Sequence, residues 1–333
     1  MEPGVSATVE QIPRLHCDRE LRLGMALSGL KLAERVSGIR RLLPGVRGVA
    51  APYSSRGQSQ PLRRLRMDKD RIEKFRDTYS AVEEDVRQIV ATVQSIPVEK
   101  RPGTAHIDYL SAITQYVFYI SIIRQWLTDP QSKILDWGGQ HGQVTRLLSR
   151  FYPNTTCYAL ANDAYDQRYG LSEWHRRLDI VNIVRSSDPL RLVVPDESFD
   201  AVISSGVLEH VGEVAVDESD ALSELYRSLK PSGFLFIWNL PRKFGREYLY
   251  PLFRRTAHQR RYRKKEIIGM LRNAGFSISY FGCHELLPLS ILKRLEGVFS
   301  PYTLLRYDYA TAEYFSFLAQ NFTIVAQKRA PSR

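Results

Sequence analysis

The hydrophobic and polar positions of the chain form two kinds of segment that follow one another in a fixed order. In Lys133–Asp163 a short apolar run leads into a glycine-rich turn at 138–142, after which apolar residues recur at helical spacing. The helix should stop at 152–154, and the β-branched and apolar residues 155–161 follow. The stretch predicts a strand, a turn, a helix and a second strand, which is half of a nucleotide-binding unit. An ordinary loop between a helix and a strand could also contain such glycines.

The same alternation continues along the chain. Strands are predicted at 180–184, 199–204, 234–238, 276–281 and 322–327, and helices at 164–178, 220–229 and 266–274. The fourth strand, FDAVIS, is apolar throughout its interior, as a central parallel strand should be. Alternating strands and helices predict an α/β fold with a doubly wound, mostly parallel sheet of seven strands.

Two helices are predicted ahead of the sheet, and the chain divides accordingly. Residues 66–128 form an N-terminal helical extension, with helices at 68–96 and 109–126 that should cover the sheet edge where a ligand sits. Residues 129–330 form the main domain, which carries a basic and aromatic insertion at 241–265. Residues 1–65 are expected to be a disordered basic tail with an amphipathic helix, which either binds a membrane surface or a partner or packs marginally on the domain.

Composition narrows the functional classes only in part. The 47 Lys and Arg against 36 Asp and Glu give a net charge of +11, which suits nucleic acid, an anionic membrane surface or a phosphorylated substrate. The three cysteines are far apart, so they indicate neither a disulfide framework nor a metal site. The sequence shows no signal peptide or spanning helix, and a cytoplasmic location is expected.

Four segments carry a family resemblance, in the right order. They are ILDWGGQHGQ, VPDESFDAVISSGVLEHV, LYRSLKPSGFLFI and HQRRYRKKEIIGMLRNAGF. Together they resemble the class I S-adenosylmethionine-dependent methyltransferases, particularly the branch that contains the ubiquinone and menaquinone methyltransferases. The resemblance covers about residues 127–328 and implies a Rossmann-like methyltransferase sheet with S-adenosylmethionine as cofactor.

The resemblance also assigns roles to individual residues. Asp136, Gly138, Gly139 and Gly142 would surround the methionine end and ribose of the cofactor. Asp188 would accept a hydrogen bond from the adenine amino group. Ser204 and Ser205 would line the floor where cofactor and acceptor meet, and His210 would lie near the reacting centre.

Two positions depart from the family pattern. Gln140 stands where the middle glycine of the turn is usual. Its backbone can still donate to the cofactor if the φ required there is accessible to a residue with a side chain. The acidic residue that ends the second strand falls on Ala161, with Asn162 and Asp163 next, so an amide or a shifted carboxylate would bind the ribose. These departures leave a non-catalytic scaffold on the same fold as an alternative.

Methyl transfer to a hydroxyl is helped by a base, and two histidines are candidates. His210 follows the fourth strand and His258 lies in the insertion. Each has a structural alternative: His210 could position the cofactor, and His258 could be a surface or capping residue. No metal is expected.

The insertion is the main clue to the acceptor. Its cations and aromatic residues predict a small-molecule acceptor that is anionic or lipid-linked, or peripheral contact with an anionic membrane. A solvated helix face would explain the charges more simply. RNA methylation is the alternative, since basic and aromatic residues also bind RNA, but tetrapeptides such as N-P-P-Y are absent from the fourth strand's end.

Overall fold

The structure, a computed structural model, describes residues 69–96, 107–160, 170–186, 188, 191–213, 217–246 and 260–330. Within them lie seven strands of one sheet. They are β1 (Ile134–Trp137), β2 (Thr155–Leu160), β3 (Ile183–Ser186), β4 (Phe199–Ser205), β5 (Leu229–Pro241), β6 (Phe276–His284) and β7 (Asn321–Lys328). The predicted tail at 1–65, Asn162, Asp163 and His258 lie outside the described residues.

The helices of the described segments flank this sheet. They are α1 (Lys69–Ser95), α2 (Leu110–Trp126), α3 (Gln143–Ser149), α4 (Leu171–Arg177), α5 (Leu208–Glu213), α6 (Glu218–Ser228), α7 (Lys264–Asn273), α8 (Leu289–Leu295) and α9 (Pro301–Tyr314). In the part of the chain that the structure describes, no helix combines the length and the apolar character needed to span a bilayer.

The strand order of the sheet is β3-β2-β1-β4-β5-β7-β6. Neighbours from β3 through β5 are parallel, whereas β7 runs antiparallel to both β5 and β6. The chain reverses its progress across the sheet at β1, so β1 and β4 flank the switch point where open α/β sheets bind ligands. The prediction of a seven-stranded, mostly parallel Rossmann-like sheet is confirmed.

The two faces of the sheet are covered by different helices. One hydrophobic cluster joins buried residues of β1, β4 and β5 to α1, α2, α3 and α9. A second cluster joins the alternate residues of the same strands to α5, α6 and α7. Because side chains alternate across a strand, Asp136, Ser205 and Trp238 belong to the first face and Trp137 and Ser204 to the second. The N-terminal helices are therefore part of one core with the sheet.

Helix α1 is fixed to the sheet side by a buried carboxylate as well as by apolar packing. Asp85 accepts hydrogen bonds from Arg146 Nε at 3.1 Å, on α3, and from Arg150 Nε at 2.6 Å, at the C-cap of that helix. Asp85 is buried, whereas Arg150 is half exposed. The helix that follows the glycine turn is thereby tied to the N-terminal extension.

The third strand begins three residues later than the pattern predicts. Asp179 has a φ of 52°, and the Ile180 N–H donates to the His175 carbonyl at 2.9 Å, so both residues close helix α4. The Ile180 side chain is buried. Apolar character at this position therefore reflects packing under the helix end and not the strand. The helix predicted at 164–178 is described only from Leu171 onward, after Gly170.

Candidate active site

The glycine turn brings its backbone against neighbouring elements at places where a side chain would not fit. Gly138 has a φ of 75°, and a Cβ there would lie 2.5 Å from Val207 Cγ2. A Cβ at Gly139 would lie 2.8 Å from Asp136 Oδ2 and 2.9 Å from Cys157 Sγ. Since real side chains do not approach so closely, the close packing of β1, β2 and the loop after β4 requires both glycines.

Gln140 adopts the backbone conformation that the turn demands even though it is not glycine. Its φ is 39°, in the left-handed region. Its carbonyl oxygen accepts a hydrogen bond from the ring Nε2 of His175 on α4, and the buried His141 packs edge-on against Trp174 at 5.2 Å between ring centroids. Helix α4 thus supports the turn where the usual glycine is missing, and the condition stated for Gln140 is met.

Asp136 ends β1 directly under the turn. Its carboxyl group is buried and accepts a hydrogen bond from Thr145 Oγ1 at 2.6 Å. Burial raises the pKa of Asp136 to about 6, although the hydrogen bonds from Thr145 lower it. Two tyrosines of α2 face this carboxylate: burial, reinforced by the Asp136 charge, raises the pKa of Tyr119 well above its usual value and that of Tyr116 to about 12.

Ser204 and Ser205 end β4, beside Asp136. Trp137 is the register partner of Ser204, and Trp238 is that of Ser205. Neither serine hydroxyl has a hydrogen-bond partner among the described residues, although both are shielded from solvent. Buried polar atoms in native proteins nearly always have partners, so these hydroxyls suit a bound ligand.

An aromatic cluster extends the site along the same edge. Trp238 of β5 lies between Tyr119 of α2, at 4.8 Å between ring centroids, and His284 of β6, at 3.8 Å. The Trp238 Nε1 and the Tyr119 hydroxyl are buried and lack a partner in the described segments. Sequence reasoning did not select these three residues. The available signal was that Trp238 ends a predicted strand, where an α/β sheet forms its site; His284 lies three residues beyond the predicted sixth strand and ends it only in the structure.

His284 is held as a neutral ring. Its Nε2 lies 2.8 Å from Asn239 Oδ1, and its Nδ1 lies 2.7 Å from Thr323 Oγ1. Because Asn239 Oδ1 can only accept, we assign the proton to Nε2 and the Thr323 hydroxyl as donor to Nδ1. Burial lowers the pKa of His284 to about 3. The ring therefore orients its neighbours and is not available as a base.

The remaining predicted residues have different surroundings. Asp188, after β3, is exposed, and its Oδ1 accepts from the Arg191 N–H at 3.1 Å. His210 is exposed on α5, five residues beyond the end of β4. The structure therefore brings Asp136, the glycine turn, Ser204 and Ser205 to one edge, and it leaves His210 at the surface beyond that edge.

Several cations of the basic insertion are engaged within the protein. Arg242 donates to the carbonyl groups of Ser316 and Ala319, the second at 2.7 Å. Arg246 pairs with Glu285 at 3.1 Å, and Arg260 pairs with Glu218 at 2.5 Å. These three cations hold the insertion onto α6, β6 and the turn before β7, so they cannot be counted as ligands for an anionic acceptor.

Comparison with known proteins supports the reading of this edge. A family model described as a methyltransferase domain matches residues 135–237, from β1 through the ligand edge of β4 and into β5. The matched residues span the two strands, β1 and β4, that flank the switch point of the sheet. The protein is an enzyme whose methyl donor is S-adenosylmethionine. A search of curated proteins gave no match.

Solved structures with the same kind of fold are distant in sequence. A candidate sarcosine dimethylglycine methyltransferase from Galdieria sulphuraria is 15% identical with a TM-score of 0.49, covering 77% of this chain and 98% of that chain. A possible histamine N-methyltransferase from Thermotoga maritima is 15% identical with a TM-score of 0.43, covering 76% and 99%. The cyclase SpnF is 18% identical with a TM-score of 0.45, covering 76% and 94%. At these values we draw no functional argument from the three.

The residues at the edge fit an adenosyl cofactor. The glycine turn leaves no Cβ to obstruct close approach, and the Asp136 carboxylate can attract a cationic ligand. The Ser204 and Ser205 hydroxyls are shielded and have no partner within the described chain. S-adenosylmethionine would be held by these residues, and when bound it supplies a methyl group on a positively charged sulfur.

Proposed function

We propose that this methyltransferase modifies an oxygen atom of a small acceptor, either free or linked to a lipid or a sugar. The acceptor site lies between the carboxyl edge of the sheet and helix α2. One observation carries the proposal: Ser205 Oγ, Tyr119 OH and Trp238 Nε1 are buried and have no hydrogen-bond partner in the described segments. Such atoms can all donate to an oxygen of a ligand, which would remove the cost of leaving them unpaired.

The surroundings of these donors favour a flat, conjugated acceptor. Tyr119, Trp238 and His284 are stacked aromatic rings at this edge, and Phe118 stacks on Tyr309 beside them at 3.5 Å between centroids. Rings of this kind bind planar ligands by stacking. The resemblance of the VLEHV stretch to the ubiquinone and menaquinone branch supports the same class of acceptor.

Helix α2 favours a small ligand over a polymer. Its residues 111–123 are all buried, and they pack over the sheet next to Asp136 and Trp238. A covered site excludes water. Methyl transfer requires this exclusion, because water would compete with the acceptor as the nucleophile. An RNA strand would need an open groove along this edge.

The chemistry asked of the protein is alignment and removal of one proton. The Ser205 hydroxyl and Trp238 Nε1 orient the acceptor oxygen, and the proton of the acceptor hydroxyl passes to the imidazole of His210. His258 is the second candidate for this base. Because an oxygen that is already ionised needs no base, the histidine requirement also distinguishes an alcohol from an acidic phenol.

The base assignment is tested by the split between turnover and cofactor affinity. We expect His210→Gln to lower kcat by about 100-fold, because a positioned base contributes on the order of 10²- to 10⁴-fold. The affinity for S-adenosylhomocysteine, measured by calorimetry, should stay the same. His258→Gln is measured in parallel. A parallel loss of kcat and cofactor affinity in His210→Gln would mean that the residue positions the cofactor instead.

The acceptor class is tested by following a labelled methyl group. Purified enzyme and S-adenosylmethionine with a tritiated methyl are incubated with three fractions of a cell extract: organic-soluble lipids, small water-soluble molecules and RNA. We expect label in one of the first two fractions, attached to oxygen. Alkaline hydrolysis should release it from an ester and leave it in place in an ether. Label that is confined to the RNA fraction and released by ribonuclease would refute the proposal.

A further inference from the structure

Three described segments meet at one corner of the molecule, next to the carboxyl edge. They are the turn at 242–246 after β5, the segment 260–265 that leads into α7, and the turn at 315–320 between α9 and β7. The Lys243 N–H donates to the Tyr262 carbonyl at 2.9 Å, which joins the first two segments. The hydrogen bonds from Arg242 to Ser316 and Ala319 join the first to the third. The three segments therefore form one continuous surface.

Six cationic or aromatic side chains of this surface are exposed, and we call them the corner surface. They are Lys243, Phe244, Arg263, Lys264, Lys265 and Phe317. Phe244 is 48% exposed and Phe317 is 65% exposed, values that are high for phenylalanine. The Arg263 guanidinium lies over the Phe244 ring at 5.4 Å from its centroid, so cations and rings are interleaved.

The cations of the corner surface differ from their neighbours in sequence. Arg242, Arg246 and Arg260 are held by carbonyl or carboxylate groups of the protein. Within the described segments, Lys243, Lys264 and Lys265 make no ion pair, and the Lys264 ammonium lies over the face of Phe281, at 4.7 Å from the ring centroid. The fold thus engages the inner cations in hydrogen bonds and ion pairs and leaves the outer ones available to an anionic partner.

We propose that the corner surface docks the enzyme on a membrane that contains anionic lipids. Exposed phenylalanines can enter the boundary between headgroups and acyl chains, while lysine and arginine next to them meet lipid phosphates. Both phenylalanines lie in turns, so that they can insert without disturbing a helix or strand. An RNA-binding platform would instead present its rings on a sheet face or along a groove.

Docking at this corner would serve the proposed reaction. The turn at 242–246 follows directly from β5, whose Trp238 lines the acceptor site, and β7 begins after the turn that holds Phe317. The carboxyl edge would therefore lie near the bilayer surface, where a lipid-linked acceptor can be reached. This consequence rests on the proposed function, whereas docking itself does not.

The test is vesicle binding by the full chain without cofactor or acceptor, so that its outcome is independent of catalysis. Flotation is measured with vesicles of phosphatidylcholine alone and with phosphatidylglycerol added. We expect binding only to the anionic vesicles and weakening with salt. Phe244→Ser with Phe317→Ser should lower the apparent affinity by about tenfold or more, because both apolar anchors are lost. Lys243→Glu with Lys265→Glu should abolish binding.

The matched control changes similar residues elsewhere. Val181→Ser with Arg294→Glu alters one exposed apolar residue and one exposed cation away from the corner and should bind like the parent chain. Circular dichroism establishes that every variant is folded. Absence of vesicle binding by the parent chain, or equal binding by the corner and control variants, would overturn the proposal. Binding of a mixed-sequence single-stranded RNA that the corner substitutions remove, without vesicle binding, would assign the surface to RNA.

Discussion

At Gly138 the turn after β1 has no room for a side chain. The backbone there also adopts a conformation that favours glycine. The nearest atom to an added Cβ would be Val207 Cγ2, at 2.5 Å, in the loop after β4. Gly138 thus fixes the distance between β1 and β4, the two strands that flank the site. Loss of this glycine should affect both stability and cofactor binding.

We expect Gly138→Ala to lower the free energy of unfolding by about 2–4 kcal/mol, from the positive φ and the clash together. Urea unfolding measures the change. The control is Gly269→Ala in α7, where a Cβ would meet nothing within 4 Å, and which should raise stability by about 0.5–1 kcal/mol. Adding Val207→Ala to Gly138→Ala should recover part of the loss. Unchanged stability in Gly138→Ala would contradict the steric argument.

Asp308 offers a second test at the residue scale, through pH. Burial raises the pKa of Asp308 from 3.8 to about 7; Glu285 adds to this, and the Leu287 N–H and Arg246 oppose it. An acid with a raised pKa in the folded state contributes stability below its unfolded pKa, and that contribution is lost as pH rises through about 7. Above that pH the folded protein must hold a buried charge.

We therefore expect the stability of Asp308→Asn, relative to that of the parent chain, to increase as pH increases. The stability of the variant minus that of the parent should rise by about 2–3 kcal/mol between pH 5 and pH 8, since about two pH units separate pH 5 from the folded pKa near 7 and each corresponds to about 1.4 kcal/mol. Thermal unfolding across this range measures it, and the comparison across pH cancels any constant cost of the amide. A difference that is flat with pH would show that the carboxyl group is not held neutral.

Some residues of the site could be read from the sequence, and others could not. Asp136, Gly138, Ser204 and Ser205 were assigned to one site by the family resemblance of the segments that contain them, and the structure places them at one edge of the sheet. Tyr119 was assigned only to a helix, since its contact with Trp238 depends on how that helix crosses the sheet. The left-handed conformation of Gln140 was also beyond the sequence, because it relies on His175, 35 positions away.

At the scale of elements, the N-terminal helices hold the site through specific polar contacts. Ser111, at the start of α2, donates through both its N–H and its hydroxyl to Glu296, which follows α8. The carboxylate thus caps a helix that is distant in sequence. Asp85 of α1 is likewise a long-range contact, since its carboxylate accepts from the side chains of Arg146 and Arg150.

We expect Asp85→Ala to lower the free energy of unfolding by about 2–4 kcal/mol, because it removes a buried carboxylate and leaves Arg146 and Arg150 without it. The control is Glu83→Ala, two residues away on the same helix, whose exposed pair with Arg87 should contribute about 0.5 kcal/mol or less. Hydrogen exchange in α1 and α3 should accelerate only in Asp85→Ala. Equal effects of the two substitutions would mean that α1 is held by apolar packing alone.

Element existence was more predictable than element boundaries. The periodicity identified all seven strands and helices α1, α2, α3, α6 and α7, since these have clear apolar faces or runs. It placed β3 three residues early, because Ile180 is apolar for a different reason. The pairing of β7 between β5 and β6 is likewise a tertiary choice that no local pattern encodes.

At the scale of the whole molecule, ligand binding should stabilise the folded state by linkage. S-adenosylhomocysteine at about 100 times its Kd should add about 2.7 kcal/mol. For a protein of this size we expect a rise in Tm of about 3–6 °C. A Gly138→Ala variant that remains folded should show a smaller shift at the same concentration, and ATP serves as the ligand control. No shift with millimolar S-adenosylhomocysteine would argue against cofactor binding at this edge.

The position of β7 has a consequence for how the protein is made. β7 separates β5 from β6 and pairs with β5 from Asn321 to Gln327 and with β6 from Asn321 to Lys328. During synthesis, β6 leaves the ribosome about 40 residues before β7 and has no neighbour in the sheet until then. The nascent chain must therefore keep β5 and β6 apart and their apolar surfaces covered. Translation pauses or chaperones that act before residue 328 emerges should determine the yield of active enzyme.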